Sequence, residues 1–581
     1  MLIFRSYLLI TLVVLSGCAS SPEQKGEPEK AVVPVEKAVV QDKVQPKDRK
    51  TSINPDVLFM LLTAELAGQR GQYDIALEGY LEAAKRVHDP RFAERAAMIA
   101  IYVNDNKKAS EAMSLWLHQD PNNLTARKFA ALSSLRKGDK QAAADHMEVL
   151  LRSDPAGFEK SLLELAEVLQ KANQPASVFD ALEIVAQRHP EQATVYFVQS
   201  LLAIQMHKQD LAEIKIQKAL SIQPDWDKAL IFRAQIAAYA GDFNKAKAVL
   251  QEASAKYPKD VKIKKLYAQV LIKAKDYASA GQVYQDIINA DPKDDDSRFA
   301  LGLVYLQQDE DDQAEQLFKK LLGEVAWRNQ ASFYLGKLEE KRGNKKEALI
   351  WFDKVTEGAF VYEASLSAIT VLIKNDQFVE AGSRLRALDS KFPKQRVRTL
   401  LVRAELLNQQ KKYQEAFVLL TDALLEMPEE KELLYTRALM ADHLGRIDVL
   451  ESDLKKILQE DPGNAEALNA LGYSLADKTT RYTEAQQYLQ KALNISPEEA
   501  VILDSYGWLK FKLGDYAQAL EYLQKAYAKQ QENEIAAHLA EVLWVLDRKE
   551  EAKDLIDKAI KNSPDDDYLL DFQKRILNKV E

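Results

Sequence analysis

From Asp56 to Pro564 apolar residues recur at helical spacing around two columns of small residues. One column holds Ala76, Ala109, Ala143, Ala212, Ala246, Ala280, Ala314, Ala348, Ala381, Ala416, Ala485, Ala519 and Ala552, and is broken only by Val178 and Leu450. The other stands about twelve residues earlier and carries Ala or Gly in thirteen of fifteen units, including Gly302, Gly336, Gly472 and Gly507, with Ser200 and Ile369 as its breaks. A small residue flanked by apolar ones at this spacing marks a helix whose backbone comes close to a neighbour. Two such columns per unit predict two helices packed as a hairpin. Between them Gly71, Gly138, Gly241, Gly343 and Gly514 fall where one helix ends and a turn begins. Proline then closes the second helix, because it cannot continue the hydrogen-bond ladder.

The prolines give the period. Pro90, Pro121, Pro155, Pro190, Pro224, Pro258 and Pro292, then Pro393, Pro428, Pro462 and Pro497, mostly lie 34 or 35 residues apart. The steps of 101 to Pro393 and 67 to Pro564 are about three and two periods. This pattern resembles the tetratricopeptide repeat, with Gly302, Tyr305, Ala314 and Phe318, and again Gly507, Ala519 and Pro564, at signature positions. The resemblance implies an all-α superhelical solenoid of about 15 hairpins over residues 56–564, with a concave groove. One hairpin cannot bury its own apolar face, so neighbours must stack. Residues 565–581, apolar at Tyr568, Leu569, Phe572 and Ile576, are expected to form the capping helix. Eighteen prolines and only twenty glycines fit poorly with an all-β chain.

The N-terminus has a different pattern. Arg5 precedes an apolar run from Tyr7 to Leu15, too short to span a bilayer, which reads as a secretory signal peptide over residues 1–17. Its end, Leu15-Ser16-Gly17-Cys18, resembles the bacterial lipobox, and Cys18 is the chain's single cysteine. The resemblance implies lipidation at Cys18, and several long acyl chains make release from the membrane negligible. Ala19, in place of aspartate, resembles lipoproteins sorted to the outer membrane of a Gram-negative host. Residues 18–55, with Pro22, Pro28, Pro34 and Pro46 among Lys, Glu, Gln and Val, are expected to be a flexible tether. The protein is thus expected to be lipid-anchored and periplasm-facing.

Charge and chemistry narrow the function. With 79 basic against 88 acidic residues the chain has no excess charge for phosphate backbones, so no nucleic-acid partner is expected. The seven histidines show no HxxxH or HExxH spacing, and one cysteine excludes disulfide frameworks and CxxC knuckles. Gly472-Tyr473-Ser474-Leu475-Ala476 approaches a nucleophile elbow, but no strand precedes the serine. Asp294, Asp295 and Asp296 lack the glycine and the twelfth-position glutamate of a calcium loop. No catalytic residue, metal or cofactor is expected.

In the resembled family the second, fifth, ninth and twelfth residues of each first helix line the groove. That register selects an apolar stripe of Phe197, Leu201, Ile204, Ile231, Ile272, Phe299, Leu303, Leu306 and Phe333. Near the C-terminus it selects Asn469, Tyr473, Asp504, Trp508, Phe511, Glu541 and Trp544, an aromatic and acidic mixture suited to binding. Two readings of the apolar stripe stay open: a groove for an extended segment or helix of a partner, or packing inside a tightly wound superhelix. The layout, and the stretch Leu468 to Gly514 above all, resembles lipoprotein adaptors of periplasmic carboxyl-terminal processing proteases. The role this implies is a non-enzymatic scaffold that recruits such a protease and its cell-wall hydrolase substrates. The alternative is a scaffold for exopolysaccharide export or for outer-membrane or pilus assembly.

Overall fold

The computed structural model describes residues 54–171 and 175–577. Among these residues there is no strand. Fifteen helical hairpins follow one another, from Pro55–Gln69 with Tyr73–Arg86 to Asn533–Val545 with Lys549–Asn562, and a short helix, Asp567–Phe572, comes after them. The fold is an all-α tetratricopeptide-type solenoid. It divides into two compact units, the first ending at Ala130 and the second beginning at Ala131.

The two small columns are the spine of the stack. At fourteen of the fifteen second-helix positions, Val178 and Leu450 included, the side chain is 0% exposed, and only Ala109 is half-buried. All fifteen first-helix positions, from Ala64 to Ala540, are buried. The breaks in one column never coincide with breaks in the other. Ile369 is paired with Ala381, Leu450 with Ala438 and Val178 with Ala166, which keeps the packed volume nearly constant. Ser200 satisfies its hydroxyl by donating to the Ala212 carbonyl across the column at 2.7 Å. Opposite the phenylalanines Phe318 and Phe352 the column holds glycine. A Cβ on Gly302 would lie 2.7 Å from Phe318, and one on Gly336 would lie 2.5 Å from Phe352.

The turns explain the glycine signal. At φ +79° Gly241 takes the left-handed conformation that ends a helix. Its N–H and that of Asp242 reach back to the Ala238 and Ala237 carbonyls, while the Asp242 carboxylate accepts from the Lys245 N–H at 2.9 Å and caps the next helix. Gly138-Asp139 and Gly514-Asp515 repeat the device. Asn104, His207, Lys275, Asp309, Asp376, Lys411 and Asp547 adopt the same left-handed backbone without being glycine. Three hairpins lack a closing proline: two have short second helices, Asp311–Leu321 of 11 residues and Lys345–Asp353 of 9, while the third, Tyr516–Lys529, keeps the 14 residues of most others. In the two short cases the chain leaves the helix early through the glycine-containing segments around Gly323 and Gly358, which the third lacks.

In the closing helix Asp566 accepts from the Tyr568 and Leu569 backbone N–H groups and caps the start. Leu569 and Phe572 are its buried residues, packed on the core that holds Leu543 and Ile556. The helix runs on as a π-helical turn, Gln573–Leu577.

Candidate functional site

The apolar stripe expected to line the groove is engaged in packing between hairpins. Phe197 is 6% exposed, its ring 4.8 Å from Trp226 and 5.7 Å from Phe232. Phe299 lies 4.9 Å from Trp327 and 5.5 Å from Tyr334, and Phe333 lies 5.0 Å from Phe360. Leu303 and Leu306 pack on the core around Phe318, Ile231 on that around Leu250, and Ile272 on that around Tyr284. Leu201 and Ile204 are half-buried. None of the nine is fully exposed: Phe197 is buried and the other eight are half-buried.

The C-terminal set is different, because four of its residues, Tyr473, Asp504, Trp508 and Phe511, join one polar and aromatic network. The elements are the first helices of hairpins 13 (Ala465–Lys478), 14 (Ala500–Lys512) and 15 (Asn533–Val545). His538 Nδ1 bonds both carboxylate oxygens of Asp504, at 3.0 and 3.1 Å, and both residues are buried. The imidazole stacks on Trp508 with centroids 4.0 Å apart, and Trp508 in turn stacks on Phe511 at 5.0 Å. Trp508 Nε1 donates to Asp477 at 2.9 Å. Tyr473 donates its hydroxyl to Glu534 at 2.7 Å, so hairpins 13 and 15 are joined across hairpin 14. Ser474 and Lys478 both bond the carboxylate of Asp442, at 2.7 Å. Asn469 is 8% exposed and its Oδ1 has no protein partner. Trp544 meets Phe572 edge-on at 6.4 Å.

Burial alone would drive His538 towards its neutral form. The Asp504 charge and hydrogen bond, with Glu534 and Asp477 behind them, more than offset this and hold its pKa above the ordinary value. Burial raises Glu534, and Asp504 pushes the same way, against the opposing pull of His538 and the tyrosine hydrogen bonds. Burial also raises Tyr473. The two main shifts act on stability with the same sign. The His538 contribution is complete below the ordinary pKa of 6.5 and is lost as pH rises through its raised folded value. The Glu534 contribution is complete below 4.5 and is also lost on the way up. The last hairpins are therefore expected to loosen as pH rises above the ordinary histidine value of 6.5 and through the raised value of His538. Amide exchange at Asn533–Val545 should accelerate over that range in the native chain and show a flatter profile in His538→Gln. Equal pH slopes in the two proteins would contradict this.

The sequence register selected Asn469, Tyr473, Asp504, Trp508, Phe511, Glu541 and Trp544; Glu541 accepts from Arg575 at 2.9 and 3.1 Å, and the structure connects four of the others through His538, Glu534 and Asp477. Those three were not selected. Glu534 occupies the second position of its helix and could have been found by the same register. His538 and Asp477 fall outside the four positions used. Among the described residues no group of three or more His, Cys, Asp or Glu is placed to hold a metal ion, and no helix is long and apolar enough to cross a membrane. Cys18 lies outside the described residues.

Stacked helical hairpins with paired small-residue columns and an interlocked inner face define a tetratricopeptide-repeat scaffold. Tetratricopeptide-repeat profiles match residues 233–295, 299–360, 271–326, 463–532 and 510–576. The TPR repeat-containing protein PA4667 of Pseudomonas aeruginosa is 33% identical over 535 residues, which is 92% of this chain and 90% of that protein. The chain belongs to the family of TPR repeat-containing proteins. Distant structural likenesses include the yeast Tom70, at 14% identity and a TM-score of 0.31 over 90% of this chain and 99% of that one. The Naa15/Naa10 structure bound to HypK-THB has 13% identity and a TM-score of 0.31, over 86% of this chain and 99% of the other.

Proposed function

We propose that this protein is an outer-membrane lipoprotein, anchored through Cys18 and facing the periplasm, that brings a carboxyl-terminal processing protease to its cell-wall hydrolase substrates. The observation that carries the reading is the array itself: every described helix is part of a hairpin or closes the stack. Tetratricopeptide repeats imply a scaffold that binds other proteins, and a long array can hold two partners at once. Holding protease and substrate on one tethered scaffold raises their effective concentration and accelerates cleavage without chemistry by the scaffold. The stretch Leu468 to Gly514, which resembles the adaptor group, coincides with hairpins 13 and 14 and supplies most of the buried network.

The anchor is tested by Cys18→Ser. The native protein should sediment with outer membranes, and the variant should appear in the soluble periplasmic fraction. Equal recovery of both with the membrane would remove the lipid anchor from the reading. The partner is tested by passing the purified host protease over the full chain held in detergent micelles. Retention supports the reading, and its absence favours an export or assembly scaffold.

A further inference from the structure

The residues that open the closing helix do more than cover the last hairpin. Lys411, in the turn of hairpin 11, places its Nζ 2.6 and 2.9 Å from the two carboxylate oxygens of Asp567, 156 residues further along the chain. Tyr568 stands beside Glu534, the carboxylate that accepts from Tyr473, and lies within the field of Asp442 and Asp477. Asn533 Nδ2 donates to Asp566 Oδ2 at 2.9 Å. Asp566 and Asp567 therefore connect hairpins 15 and 11 directly, hairpin 13 is reached through Glu534, and the acid of hairpin 12 lies close by. The chain between hairpin 11 and the closing helix bends back on itself, and its inner-face residues are enclosed.

Two features mark this closure as reversible. The Lys411–Asp567 pair is exposed on both sides, 61% and 68%, and exposed ion pairs hold weakly. The closing helix has six residues and only Leu569 and Phe572 as buried anchors, so it belongs to the part of the fold that opens at least cost. Lys411 is also one of the residues with a left-handed backbone, φ 56°, where Gly71, Gly138, Gly241, Gly445 and Gly514 occupy the matching turns. A lysine there accepts backbone strain that glycine would avoid, and in this structure its amine reaches across to Asp567.

We propose that the closing helix is a latch: the Lys411–Asp567 and Asn533–Asp566 contacts hold the inner face of hairpins 11 to 15 shut, and their release opens that face to a partner. The gating half of this rests on the scaffold reading above; the closure does not. Full-length Lys411→Glu, Asp567→Lys and the charge-swapped double variant, in detergent micelles, separate the two. Each single variant places like charges together and is expected to speed amide exchange of residues 567–577 by about threefold or more. It should also speed diethylpyrocarbonate labelling of His538, with exchange in hairpins 5 to 8 unchanged as the check on folding. The double variant should restore both rates. Unchanged rates in the single variants, or a double variant as fast as they are, would overturn the latch. Faster exchange with unaltered capture of the purified processing protease and of a cell-wall hydrolase would overturn the gating, while the scaffold reading is decided separately by cleavage.

Discussion

Asp453→Ala is expected to destabilise the region around hairpin 12 by about 3–5 kcal/mol, the usual cost of stranding one member of a buried ion pair. Asp453 sits in the second helix of that hairpin with 1% of its side chain exposed. Both its oxygens accept from Arg437, at 2.7 Å each, and the guanidinium also reaches the Thr421 hydroxyl at 3.4 Å. Removing the carboxylate leaves a planar cation, 16% exposed, without its bidentate partner. Most packing in a solenoid is between neighbouring repeats, so the loss should be largely local. Amide exchange across Lys431–Glu460 should rise steeply while the hairpins around Leu250 stay protected. Replacing both partners, as Arg437→Met with Asp453→Leu, should cost far less than the single change, because no charge is then stranded. A single-variant loss below about 1 kcal/mol would mean that the pair is solvated in the native protein.

The second large effect lies in the small-residue column. Phe318 is 0% exposed, and its ring occupies the space in front of Gly302. Phe318→Ala is expected to cost about 3–5 kcal/mol through lost burial and a residual cavity. Gly302→Ala should cost about 1–3 kcal/mol, because its Cβ would fall 2.7 and 2.9 Å from two ring carbons of a side chain with no room to retreat. Combined, the added methyl enters space the ring has vacated, so Gly302→Ala should be close to neutral on the Phe318→Ala background. The coupling from this double-mutant cycle, read by denaturant unfolding, should be about 1–3 kcal/mol. Additive losses would show that the glycine is there for helix geometry alone.

These two sites also show what a sequence makes visible. The column position of Gly302 and the burial of Phe318 are local: they depend on residues sixteen apart inside one hairpin, and the recurrence of the unit makes each instance reinforce the others. The same holds for the left-handed glycines. The Arg437–Asp453 pair has the same sixteen-residue separation, but it occurs in one hairpin, so no repetition points to it. The network around His538 is further removed. Its members come from three successive hairpins and the closing helix, and their meeting depends on the rotation between repeats. Lys411 and Asp567 are the extreme case: 156 residues apart, they touch only because the accumulated rotation brings the chain back. Pitch is set by small increments of packing at each joint, and no motif encodes it. The middle stripe gives the same lesson in reverse. The register picked Phe197, Phe299 and Phe333 as inner-face residues, and each spends its ring on the neighbouring hairpin.

The most direct test of the scaffold account is a cleavage assay with three purified components: the full chain in detergent micelles, the host's carboxyl-terminal processing protease, and a candidate cell-wall hydrolase. The account predicts that hydrolase cleavage is much faster with the chain than with protease alone. It also predicts that the gain passes through a maximum and falls again when excess scaffold holds protease and substrate on separate copies. No binding to the protease and an unchanged rate at every scaffold concentration would contradict it.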